Sequence, residues 1–169
     1  MFNTEPLAGL AATKEAVLEG LEKANLAHIA AHGDMARGEI LLACKPGTSR
    51  TKFKRKDQML MMSDLENRRV SAKLVVLSCC HSARGKIRAE GVVGIARSFL
   101  GAGARSVLVF LWTIEDAATL TFMEKFYEHL IRGEKANDSL NKAMAAMRET
   151  GALPRQWAPF VLIGDDISI

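Results

Sequence analysis

Apolar runs of two kinds follow one another along the chain, separated by polar or glycine-containing breaks. Between Thr13 and Ala24 (TKEAVLEGLEKA), Val17, Leu18 and Leu21 recur at helical spacing among charged neighbours, and Thr13 is placed to cap the first turn. Leu26 to Ala31 (LAHIAA) is short and apolar, stops at His32-Gly33 and predicts a buried strand. Ile40 to Cys44 (ILLAC), closed by Pro46-Gly47, predicts another. The pattern then predicts a loop over 45–56 and a helix from Gln58 to Arg69, with Ser63 as an internal cap.

Lys73 to Cys79 (KLVVLSC) is a continuous apolar run of the kind found in a central strand covered on both faces. Gly91 to Leu100 is helical by spacing, with Val92, Ile95, Ala96 and Phe99 on one stripe and Gly101 and Gly103 at its end. Ser106 to Trp112 predicts a further buried strand. Asp116 to Arg132 and Asn137 to Thr150 predict two helices stopped by Gly133 and Gly151, and Pro159 to Gly164 predicts a last strand. Strands alternating with helices imply an α/β fold with a mostly parallel sheet and helices on both faces.

Composition narrows the class. The 169 residues suit one domain, and no apolar run approaches the ~20 residues of a spanning helix. The N-terminus has no basic flank followed by an apolar stretch, and three cysteines do not make a disulfide framework. An intracellular, cytoplasmic protein without a membrane segment is the expectation.

The net charge of +4 points to nucleic acid until it is located. Residues 45–56 (KPGTSRTKFKRK) hold six basic side chains and no acid, and the rest of the chain is at −2. Lys45, Arg50, Lys52, Lys54, Arg55 and Lys56 with the single aromatic Phe53 read better as a solvated loop than as a nucleic-acid surface.

Two predicted strands end in reactive side chains, one in His32-Gly33-Asp34 and one in Cys79-Cys80-His81. In a parallel sheet such residues collect at the carboxyl end. A thiol attacks a carbonyl when a base takes its proton, an imidazole does this near neutral pH, and backbone N–H groups stabilise the oxyanion. Alternation through Val75, Leu77 and Cys79 turns Cys79 into the core and leaves Cys80 at the exit. Cys44 reads as a core cysteine, His28 as a core histidine and His129 as a surface one. Zinc binding by Cys79, Cys80, His81 and His28 is disfavoured by the absence of a CxxC pair. The stretch Gly85 to Arg88 (GKIR) lacks the spacing of a phosphate loop.

The run LVVLSCCHSARGKIRAEGVVGIARSFLGAGARSVLVFLW, with HIAAHG upstream and FYEHL and WAPFVLIGD downstream, resembles the CHAT domain from about Ala12 to Asp166. CHAT domains are caspase-like cysteine peptidase domains related to separase and often fused to tetratricopeptide repeats. The resemblance implies a caspase-like three-layer sandwich, with residues 1–169 as a single domain forming the C-terminal core of a larger protein. It makes His32 the catalytic histidine and Cys80 the catalytic cysteine, with the N–H groups of Gly33 and Cys80 as the oxyanion hole. Asp116, with Glu115 beside it, lies where separase-like members carry an acid that selects a basic P1 residue; acids in a helix's first turn also suit its dipole.

No metal or organic cofactor is implied. The implied partners are a protein or peptide substrate, tetratricopeptide repeats in cis or in a partner, and a second copy in a homodimer. Two features depart from the family pattern. Ser-Cys-Cys-His stands where many members read Ser-Ala-Cys-Glu, and the family usually carries further strand and helix elements ahead of the segment at Leu7. An inactive scaffold or interaction domain is the alternative function.

Overall fold

The computed structural model describes residues 5–34, 37–45, 55–80 and 89–169, with only the backbone considered at Arg55, Cys80 and Ala89. Helix α1 (Lys14–Leu21) starts where Thr13 accepts a hydrogen bond from the Ala16 N–H at 3.3 Å, and it buries Leu18 and Leu21. Strand β1 (Leu26–Asp34) turns back into β2 (Glu39–Leu41), which pairs in turn with the two-residue β3 (Met59–Leu60). A single turn, α2 (Met62–Leu65), leads on to the central strand β4 (Leu74–Cys80). Then come α3 (Ala89–Gly101), β5 (Ser106–Phe110), α4 (Asp116–Ile131), α5 (Ala136–Glu149), α6 (Pro154–Trp157) and β6 (Phe160–Gly164).

The sheet order is β3-β2-β1-β4-β5-β6. Its centre, β1-β4-β5, is parallel, while β2, β3 and β6 pair antiparallel, so the sheet as a whole is mixed rather than mostly parallel. Connection geometry explains both flanks. The few residues between β1 and β2 permit only a hairpin. Between β5 and β6 the chain makes a helical hairpin: α4 carries it away from the carboxyl end of β5, and α5 carries it back. β6 therefore starts at the carboxyl end and runs down.

The helices form two outer layers. On one face Leu18, Leu21, Leu65, Val92, Ile95 and Phe99 pack on Ile29, Val75, Leu77 and Val107. On the other, Phe122, Phe126, Leu130, Leu140 and Ala143 pack on Leu74, Val76, Leu108, Phe110 and Phe160. Phe122 and Phe160 stack with their ring centroids 3.5 Å apart and planes 2° from parallel. The result is the three-layer α/β sandwich expected from the sequence.

One predicted element is replaced. The stretch expected as a single helix over Gln58–Arg69 begins as β3, because Met59 and Leu60 are buried and pair with Leu41 and Ile40. Sheet pairing overrides a helical pattern there, and the helix shrinks to α2.

Candidate active site

β1, β4 and β5 run parallel, so their carboxyl ends lie at one end of the sheet. The β1–β4 ladder pairs Leu26 with Leu74 and proceeds rung by rung to His32 opposite Cys80. Neighbouring strands are about 4.8 Å apart, so the two backbones are held at that separation. Alternation assigns positions 32 and 80 to the face of Leu74 and Val76, while Ile29, Leu77 and Cys79 serve the opposite core. His32 is exposed and Cys79 is buried, with its Sγ 3.8 Å from the Ile29 carbonyl oxygen. Cys79 is thus the core cysteine. His81 lies outside the described residues.

Past His32 the backbone is fixed by the β1–β2 hairpin, in which Gly33 pairs with Ile40 and Asp34 with Glu39. The Arg37 N–H donates to the Asp34 carbonyl at 3.0 Å, and the side chains of the two lie 3.7 Å apart as an ion pair. Gly38, at φ +66°, closes the turn so tightly against α3 that a Cβ there would lie 3.0 Å from the Gly91 carbonyl oxygen. Met62 of α2 covers the same region, with its Sδ 3.0 Å from where a Cβ on Gly94 would stand. The His-Gly-Asp end of β1 is therefore clamped to the start of the helix that follows Cys80.

The sheet also opens beside Cys80. The β4–β5 ladder ends at the Val76–Leu108 rung, whereas β4 continues to Cys80. β4 is followed by α3 on one face of the sheet and β5 by α4 on the other. A crevice between strands whose connections diverge in this way is the usual ligand position of open α/β sheets. Trp112, Glu115 and Asp116 follow β5. All three are exposed, Glu115 preceding the first turn of α4 and Asp116 opening it. Arg155 of α6 approaches Glu115 at 3.9 Å.

Two sequence readings of single residues change. His28 is not a core histidine, because α4–α6 lie over β4–β6 and leave one face of β1 open; it is exposed, with Nδ1 2.9 Å from the Tyr127 hydroxyl. Protein packed around it nevertheless desolvates the imidazole and lowers its pKa, and burial raises that of Tyr127. Cys44 is only partly buried and accepts a hydrogen bond from Gln58 Nε2. His129, read as a surface residue, is partly exposed and lies 3.1 Å from Glu134.

Of the basic stretch, residues 46–54 lie outside the described residues. The flanking Lys45 and Lys56 line an open depression together with Lys14, Glu15, Asp57, Met61 and Asp64. Cations and carboxylates are interspersed there, and Lys14 is bound to Asp64 at 2.6 Å. Among the described residues this depression presents no surface of one sign.

Comparison with known proteins follows the same lines. The family model described as CHAT domain matches residues 2–165. Tetratricopeptide repeat protein 28 of Mus musculus is 33% identical over 201 aligned positions, and its Homo sapiens counterpart is 30% identical. Each alignment covers 100% of this chain and 8% of the relative, so the chain spans a small part of the relatives' length.

Proposed function

The chain belongs to the CHAT domain family, which is related to caspase-like peptidases, and on that premise we propose that it is a cysteine endopeptidase using Cys80 as nucleophile and His32 as general base. The observation that carries this reading is the shared rung of His32 and Cys80 on adjacent parallel strands. A base beside a thiol at the open end of a sheet is the arrangement that acyl transfer requires.

In the reaction His32 takes the thiol proton as the Cys80 sulfur bonds to the scissile carbonyl carbon. The carbonyl oxygen becomes an oxyanion received by the N–H groups of Gly33 and Cys80. On collapse the C–N bond breaks, and the amine leaves with the proton carried by His32. The resulting thioester is attacked by water, whose proton His32 accepts. The C–S bond then breaks and His32 returns that proton to the sulfur, giving the carboxylic acid and the free thiol. The chemistry needs no metal, and it needs a reducing compartment such as the cytoplasm to keep the thiol free.

Asp116 and Glu115, across the crevice, suit a basic P1 residue. Arg155 approaches Glu115 at 3.9 Å. The second reading, a non-catalytic module in a repeat protein, draws support from the relatives, whose names denote tetratricopeptide repeats and of which the matched region is 8%.

The deciding experiment is labelling with a peptide acyloxymethyl ketone, followed by peptide cleavage. Labelling at Cys80 that disappears in His32→Ala supports the peptidase. A folded protein that is not labelled, or cleavage that survives Cys80→Ala, overturns it.

A further inference from the structure

On the sheet face that α4 serves, the floor formed by β1 and β2 has no helix over it among the described residues. Alternation along β1 turns Ile29 into the opposite core and brings His28, Ala30 and His32 to this face, where all three are exposed. On β2, Ile40 is buried in that opposite core, so Leu41 comes to the same face as His32, and it is 40% exposed. Helices α1, α2 and α3 pack on the other side of the sheet.

α4 forms a wall along the floor. Tyr127 meets His28, with its hydroxyl 2.9 Å from Nδ1 and the ring centroids 5.7 Å apart, which identifies the flank of α4 that borders β1. Leu120, two turns earlier, and Ile131, one turn later, share that flank and are 62% and 48% exposed. Glu124 lies on the same stripe and is exposed. At the hairpin end of the floor, Asp34 and Glu39 pair on the face of His32 and Leu41, and Arg37 forms an ion pair with Asp34. The rim is acidic on both sides.

Dimensions and backbone chemistry select the occupant. Two strands are about 10 Å wide, the diameter of one helix, and Leu120 to Ile131 spans about 16 Å, or three turns. β1 offers its face here and not its edge, so an extended peptide would find no partners for its own N–H and C=O groups. A helix satisfies those groups internally and needs only a matching apolar stripe.

We propose that this trough is an interaction surface for a basic amphipathic α-helix of a partner protein, about three turns long, laid on β1 and β2 beside α4. Its apolar stripe covers Leu41, Leu120 and Ile131, and its flanking Lys or Arg side chains face the acids of the rim. The proposal does not depend on the peptidase reading, and binding is measured without catalysis.

The test selects three-turn helical peptides from a displayed library against the whole chain, then measures the binders by ¹⁹F NMR. Tyr127 is the one tyrosine, so protein carrying 3-fluorotyrosine gives a single signal from the wall itself. Three results support the surface. The selected peptides carry apolar residues at helical spacing flanked by Lys or Arg, and they shift the Tyr127 signal. Leu120→Asp and Ile131→Asp each weaken them about ten- to a hundredfold, while Leu153→Asp, at an exposed leucine just before α6, changes affinity less than about twofold. Glu124→Lys weakens them too, and added salt lowers the wild-type affinity.

If an Asp variant lowers the urea midpoint, Leu120→Ser or Ile131→Ser is read in its place. Failure to select any binder, selection of acidic or extended peptides, or binding that the Leu120 and Ile131 variants leave unchanged would overturn the proposal. Concentration-dependent dimerisation of the chain alone, abolished by Leu120→Asp, would overturn it in favour of a second copy as the occupant.

Discussion

His32 and Cys80 form the last rung of the β1–β4 ladder, six residues along from the Leu26–Leu74 rung at its base. Their spacing is thus set by backbone pairing rather than by the rotamers of long side chains. General-base assistance contributes about 10²–10⁴-fold. His32→Ala should accordingly slow alkylation of Cys80 by a peptide acyloxymethyl ketone by that order. His28→Ala, two pleats down the same face, should change it less than about twofold. Equal losses in the two variants would refute the assignment of His32 as base.

Gly38 predicts a stability cost with a functional echo. At φ +66° any side chain is strained, and a Cβ would lie 3.0 Å from the Gly91 carbonyl oxygen and 3.3 Å from Ile95 Cβ. Gly38→Ala should destabilise by about 1–3 kcal/mol in urea unfolding. Because this turn ties β1 to α3, thiol labelling should weaken as well. Gly20→Ala, in α1 with open space around it, should be neutral or stabilising by up to about 1 kcal/mol.

The stacked pair at the β5–β6 flank is a test of the second core. Phe122 and Phe160 are both buried and in face contact. Phe122→Ala should cost about 3–5 kcal/mol, read as a lower urea midpoint with an unchanged slope.

Tyr127 is the chain's one tyrosine, so its ionisation is directly visible in the ultraviolet. Burial raises its pKa, so phenolate absorbance should appear well above the pH 10 of a free phenol, unless alkaline unfolding intervenes. Its partner His28 has a lowered pKa. Between that lowered value and about 6.5 the unfolded chain binds more protons than the folded one. Folding should weaken as pH falls through this window, and His28→Gln should flatten the slope. An NMR titration placing the His28 pKa above 6.5 would contradict this.

The α4–α5 hairpin carries a separate acid-sensitive contact. Glu134 has a lowered pKa, first from its Lys142 hydrogen bond and then from that of His129. A carboxylate depressed in the folded state adds stability that is complete above its unfolded pKa and is lost as pH falls through the folded value. Glu134→Gln should therefore reduce the acid sensitivity of unfolding below about pH 4.5 and leave it unaltered above pH 7.

The central strands and long helices were legible because each is long enough for its period to be unmistakable. Leu74–Cys80, Ala89–Gly101 and Asp116–Ile131 fall within a few residues of the ends read from the sequence. The segment from Gln58 was not, because a two-residue strand leaves no period of its own and exists only through pairing with Ile40 and Leu41. α6 was missed for the same reason of length. The convergence of His32 and Cys80 could be anticipated from two strands ending in reactive side chains. The anchor of Trp112 on Arg155 and the approach of Arg155 to Glu115 join residues about forty apart, with no local signal to announce them.

The downward course of β6 has a consequence for attachment. Gly164 pairs with Ser106 at the amino end of β5, and Ile167 is held by the Ala136 N–H at 2.7 Å. Polypeptide or a fusion tag continuing from Ile169 would thus depart at the pole opposite His32 and Cys80. Thr13, by contrast, bridges Ala43, two residues beyond Leu41 of β2. A neighbouring module attached after β6 would therefore stand away from the entrance to the crevice.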